Sequence, residues 1–457
     1  MDRPVIRILS IGLFALAAFM VFASPLTQGD APPDLRIDIR HSGEANLRVV
    51  YEWRRAQRRM IFQTVAEGYR KRQWTIVPDG FEIFSEGGAD YIRRAGGGRF
   101  RRVEIIARPD NIRLDKEYQP LVKYGERGAL LYTGHFWPMI KSGGRVNAVF
   151  DFTPAPAGQV VAFGDRAMRI ENWRSPEDHP AFVYMGPLAP VETQDVMALV
   201  DPGAPQWIAE EFNTLVPRAF SALSQLFGFT PETKPNLFLS ANVEGDAGRL
   251  SYAGDALPSQ FQIMLRGGAW SRPNAKAREV FIHSTIHEAT HLWQAAARPA
   301  SDETPEWIHE GAADAITAEA RVALGDWNGA AFERNAQRAR SECASELETG
   351  SLNGAAARQD FRALYVCGHV IADAVALAEG ARVVDFWRAL IEKAERAGGY
   401  TETMVYDLIE ERTGDAEFAQ AVRYFADTPL AQPGEEIEKL MTAARTAAGQ
   451  RRPAASL

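Results

Sequence analysis

The stretch "STIHEATHLWQ", residues 284–294, sets two histidines four positions apart with a glutamate directly after the first. On a helix, His287 and His291 stand one turn apart on one face. Both imidazoles then reach a single ion, and tetrahedral zinc takes nitrogen at about 2.0–2.1 Å. Glu288 is turned about 100° around the axis from His287. There it meets a water at the ion without ligating the ion, and it can take that water's proton as the water attacks a carbonyl. This is the H-E-x-x-H arrangement. Alone it does not make a site, because a catalytic zinc needs a third protein ligand and an open fourth position.

The third ligand is found in "TPEWIHEGAADAI", residues 304–316. Thr304 suits an N-cap and Pro305 a first helical residue, so a second helix is expected to start here. Glu310 falls inside it. Eighteen residues separate His291 from Glu310. That is enough for one helix to end, the chain to turn at "RPASDE", and the second helix to pack beside the first. Asp314 follows Glu310 at i+4 on the same face, placed to hold the free N–H of a ligand histidine. His283 and His309, neighbours of the ligands, read as supporting or surface residues, and His135 as structural.

Outward from this centre, the chain divides by period. "LRIDI", "LRVVYEW", "RFRRVEIIA", "ALLYTGHFW" and "RVNAVFDF" alternate apolar and polar residues between Gly, Pro and Asp punctuation. They predict an antiparallel β domain over residues 33–200, with a short helix as an alternative for "EWRRAQRRMIFQTV". Past "DPGAPQ" the spacing becomes helical, from Trp207 to Phe227. Short strands follow, among them "QFQIMLR", and then a helical remainder. A mostly helical α+β catalytic domain is expected over residues 204–445, and a flexible tail over 446–457. "QFQIMLR" is expected to be the edge along which an extended substrate pairs.

At this point the residues resemble a family. H-E-x-x-H, an eighteen-residue gap and the glutamate of "WIHEG" are similar to the gluzincin metallopeptidases of the aminopeptidase N and glycyl aminopeptidase types. The Glu-x-x-x-Asp pair is also similar to thermolysin-like enzymes. The resemblance implies a multi-domain chain, an antiparallel β domain followed by a thermolysin-like catalytic domain. It implies one Zn2+ on His287, His291 and Glu310, and Glu288 as general base. "LYVCGHVIADA" matches a Tyr-x-x-Gly of aminopeptidase N relatives, which makes Tyr365 the residue that stabilises the oxyanion. One departure stands out. Those relatives carry a G-x-M-E-N motif whose glutamate binds the substrate's free amine. Here "YAGDALPSQFQIML" offers only Asp255, so the expectation is an enzyme that does not demand a free N-terminus.

Composition narrows the partners. There are 59 acidic and 51 basic residues, a net charge of −8, which argues against a nucleic-acid partner. The arginines between Arg54 and Arg113 read as a solvated sheet face. Residues 8–23 are an uncharged apolar run behind Arg3 and Arg7. Residues 1–24 are therefore expected to be a signal peptide, or an N-terminal anchor, of a periplasmic or extracellular protein. No later segment reads as membrane-spanning. Export predicts a disulfide between Cys343 and Cys367. The substrate is expected to be a peptide or protein. Two rivals are a non-catalytic peptide-binding or envelope-scaffold protein that retains zinc, and a zinc hydrolase of a non-peptide amide.

Overall fold

The computed structural model describes residues 31–110, 114, 117–163, 165–176, 179–301 and 303–451. The expected signal peptide and residues 452–457 of the expected tail lie outside these.

Four sheets and a helical body stack in layers. The outermost sheet has six strands, in the order Ile170–Trp173, Ala148–Thr153, Leu35–His41, Leu47–Gln57, Phe100–Ala107 and Trp74–Ile76. Its inward residues Leu35, Ile37 and Ile39 share a core with Ala129, Leu131, Val160 and Val183 of a five-stranded sheet. The alternate residues of that second sheet, Leu130, Tyr132, Val161 and Phe182, turn the other way. They pack on Met197, Leu199 and Phe238 of a mixed sheet. A sheet held between two others has both faces buried, and Gly128–Tyr132 and Phe182–Gly186 are buried at every position. Among the described residues, Leu35–His41 departs from the expected antiparallel pattern by running parallel to Ala148–Thr153, and Met197–Val200 by running parallel to Asn236–Asn242. The stretch considered for a short helix is strand, as Leu47–Gln57 and Arg59–Gln63. The latter belongs to a three-stranded sheet with Ala89–Arg94 and Phe81–Glu86.

The mixed sheet runs Val191–Glu192, Met197–Val200, Asn236–Asn242, Gln260–Arg266 and Ser251–Leu257. The first two strands precede the expected boundary between domains, yet they pair with each other and the second pairs with Asn236–Asn242 beyond it. Gln260–Arg266 was expected at the edge. It lies inside the sheet, parallel to Asn236–Asn242 and antiparallel to Ser251–Leu257, which is the true edge. The reason is burial: six of its seven residues are buried, using both faces, whereas Ser251–Leu257 is mostly half-buried.

Ten helices are described: α1 Tyr69–Gln73, α2 Gln206–Phe227, α3 Ala275–Gln294, α4 Trp307–Ala323, α5 Gly329–Glu346, α6 Phe361–Glu379, α7 Val383–Ala397, α8 Glu402–Thr413, α9 Ala416–Asp427 and α10 Pro433–Arg451. Leu237, Leu239, Phe261 and Ile263 of the mixed sheet carry α2, α3 and α4 on one shared core. By length and composition α6 is apolar enough to cross a membrane, contrary to the sequence reading. Its apolar side chains are spent inside the protein, where Val370, Ala374 and Ala378 are fully buried. Residues 446–451 of the expected tail are helical. α10 continues to Arg451 with Ala447 buried, since alanine favours helix and here finds a core to pack on.

Candidate metal centre

α3 begins cleanly, with the Asn274 side chain accepting from the Ala277 backbone N–H at 2.8 Å. It passes between the mixed sheet and α4, so its middle, from Ser284 to Thr290, is buried throughout. α4 starts later than its sequence implied. Its N-cap is Glu306, not Thr304, and no side chain caps it. The Pro305 carbonyl accepts from Ile308 and the Glu306 carbonyl from Glu310.

These two helices bring three ligand atoms together. His287 Nε2 lies 3.1 Å from His291 Nε2 and 3.2 Å from Glu310 Oε2, and His291 Nε2 lies 3.4 Å from the same oxygen. Ligands about 2.0–2.1 Å from a tetrahedral centre stand about 3.3–3.4 Å from one another. The three distances are close to those edges, so the donor set fits one zinc. The outer nitrogens are held as well. His287 Nδ1 donates to Asp314 Oδ1 at 3.0 Å, and His291 Nδ1 donates to Gln294 Oε1 at 2.8 Å. Gln294 in turn donates to the His309 carbonyl. Each imidazole is thus fixed with Nε2 turned to the centre, the arrangement that orients metal-binding histidines.

The charges follow. Burial works against a proton on His287, but bonds to Asp314 and Glu310 push its imidazole up to about 10. Burial likewise opposes ionisation of Asp314, yet His283 and His287 hold it well below the usual carboxylate range. The site is a concentrated negative field that a divalent cation would neutralise.

Glu288 is buried beside the ligands, facing the edge strand. A Cβ at Gly254 of that strand would overlap its carboxylate. Only glycine leaves the room. Across the site Tyr365 stands on α6, its ring 5.6 Å from that of His287 and its hydroxyl bonded to Glu310. Burial, then the Glu310 and Glu288 carboxylates, raise the phenol well above its ordinary value, so it remains a donor. Its place depends on two glycines. A Cβ on Gly311 of α4 would overlap the Gly368 backbone of α6, and one on Gly368 would overlap the Trp307 carbonyl. The disulfide Cys343–Cys367 ties α6 to α5, with Cα atoms 4.9 Å apart.

His283 donates to Asp314 at 3.0 Å, and the His309 ring lies 5.9 Å from that of His291. His135 is buried and pushed down to about 3 by burial and Arg70. Its ring donates to the Tyr118 carbonyl at 2.8 Å. Sequence reasoning missed four residues here. Gln294 was within reach, as i+3 from His291. Gly254 and Gly311 carried no local signal of their steric role. Tyr118, whose hydroxyl donates to the Ala256 carbonyl of the edge strand at 3.2 Å, arrives from the β layers, which no motif announces.

No protein-family model matches the sequence, and no curated protein matches it. Solved structures do. The chain is similar to an aminopeptidase N family protein from Idiomarina loihiensis, with a TM-score of 0.62, at 11% identity, over 89% of this chain and 78% of that one. It is also similar to native yeast LTA4 hydrolase, with a TM-score of 0.51, and to the same protein in complex with bestatin, with a TM-score of 0.53. Both are 13% identical, over 87% of this chain and 67% of theirs. The chain therefore has a gluzincin aminopeptidase-like fold.

Proposed function

We propose that the protein is a zinc metallopeptidase, a hydrolase of peptide bonds, with His287, His291 and Glu310 as ligands. The observation that carries this reading is the near-tetrahedral spacing of the three ligand atoms with Glu288 buried beside them. When bound, zinc supplies Lewis-acid polarisation of the scissile carbonyl and a water acidified toward neutral pH. Glu288 accepts the proton of the attacking water and passes it to the leaving amine. Tyr365 donates a hydrogen bond to the carbonyl oxygen as it gains negative charge. Asp314 and Gln294 keep the imidazoles aimed. A scaffold with a structural zinc would need no carboxylate at position 288, which favours catalysis over that rival.

In this reading the catalytic domain, expected from residue 204 and thermolysin-like in its helices, also takes in the strands from Val191 onward. The edge strand Ser251–Leu257 receives the substrate backbone. A disulfide suits an oxidising compartment outside the cytoplasm.

The test is a peptide assay. Zinc-loaded protein should cleave an unstructured peptide, and a zinc chelator should stop it. No cleavage of any peptide by the loaded protein would leave the non-peptide amide reading. The same assay addresses the missing amine-binding glutamate. Asp255 has a short side chain and accepts from Gln262 Nε2 at 2.6 Å. The N-acetylated form of the peptide should therefore be cut at a comparable rate. Strict dependence on a free amine, one residue at a time, would make Asp255 the acid to mutate first.

Tyr365→Phe should fold normally, keep zinc and lose on the order of 10²-fold in kcat. Turnover within a few-fold of the parent would return Tyr365 to a packing role.

A further inference from the structure

The outer sheet has two unlike charged regions. On its central strands the arginines are matched: Arg36 with Asp151, Arg48 with Glu104 at 2.7 Å, and Arg102 with Glu52 at 3.2 Å. At one end, and on the three-stranded sheet beside it, the matching is incomplete: Arg54, Arg70, Arg72, Arg93 and Arg102 are paired and other arginines are not. Residues 54–102 carry twelve Arg and Lys against five Asp and Glu, a local excess of seven in a chain of net charge −8. Arg55, Arg58, Arg59, Arg94, Arg99 and Arg101 are exposed, and among the described residues none of them is ion-paired.

Arg59 lies directly across from Arg93 in the three-stranded sheet, and Arg93 is matched by Glu82 at 2.6 Å. Each guanidinium rests on a half-buried ring: Arg59 lies 4.8 Å from the Tyr91 centroid and Arg93 lies 4.3 Å from that of Phe84. Arg93 gives its Nε–H to Glu82, whereas stacking supports the planar group of Arg59 and leaves its N–H donors for phosphate oxygens.

The chain's entry into the fold lies at this same end. Asp34, just before the first strand, accepts from the Arg54 backbone at 2.9 Å and from its side chain at 2.8 Å. Ten residues separate it from the apolar run of residues 8–23. Ten residues span at most about 35 Å. A membrane that holds that run is therefore within reach of the arginine face.

We infer that this face, Arg55, Arg58, Arg59 and Arg101 with the Phe84–Tyr91 stack, docks on the anionic phospholipid headgroups of a membrane. A basic surface is attracted to anionic headgroups, and the attraction falls off within a Debye length. The inference is independent of the peptidase reading.

The test is co-sedimentation of the full chain with vesicles of phosphatidylcholine alone or with a third phosphatidylglycerol. The parent should prefer the anionic vesicles, and 0.5 M NaCl should abolish the preference. The variant Arg55→Gln/Arg58→Gln/Arg59→Gln/Arg101→Gln should lose on the order of 10²-fold in affinity for them. Its circular dichroism and its hydrolysis of a soluble peptide should match the parent's. Equal binding of parent and variant, or equal binding to both vesicle types, would overturn the inference and leave the apolar run to account for attachment. Binding to polyglutamate without binding to anionic vesicles would also overturn it, assigning the face to an acidic polypeptide.

Discussion

Glu288→Gln is expected to keep its fold and its zinc and to lose about 10²–10⁴-fold in kcat. The amide is nearly isosteric, and Gly254 already provides the space the side chain occupies. Only the capacity to take a proton is lost. The ligand atoms of His287, His291 and Glu310 are untouched, so metal content measured on the purified variant should equal the parent's. Turnover within tenfold of the parent would move the base to another residue.

Gly311→Ala is expected to have the second large effect, through geometry alone. A methyl at this position meets backbone, which cannot rotate away, so α4 and α6 must separate. Overpacking of this kind costs about 1–3 kcal/mol. The separation also moves Tyr365 away from Glu310, and misplacement by about 1 Å can cost 10²-fold in rate. Both losses should appear together in Gly311→Ala, as a lowered midpoint of thermal unfolding and a lowered kcat. Full stability and activity would mean that the helices have slack the structure does not show.

The helix that carries His287 and His291 was legible because its signal is local. The i, i+4 spacing of His287 and His291 survives any tertiary arrangement. Glu310 and Asp314 were legible for the same reason, as an i, i+4 pair on a second helix. Tyr365 came from resemblance alone. The layered sheets were legible as strands, since period two persists through Leu35, Ile37 and Ile39. Their neighbours were not. Pairing of Leu35 with Ala148 joins residues more than a hundred positions apart, and nothing local encodes it. The edge was misassigned because "QFQIMLR" displays its alternation plainly, whereas burial on both faces, which marks an inner strand, depends on the sheets stacked on either side. The start of the tail was placed by composition: Ala447 is fully buried, a fact set by the partners of α10 and not by its own residues.

Anomalous diffraction at the zinc absorption edge, on crystals of the protein purified without chelator, tests the central claim most directly. The account predicts one strong peak per chain, about 2.0–2.2 Å from His287 Nε2, His291 Nε2 and a Glu310 carboxylate oxygen. No peak there after soaking with zinc, or a peak bound by other side chains, would contradict it.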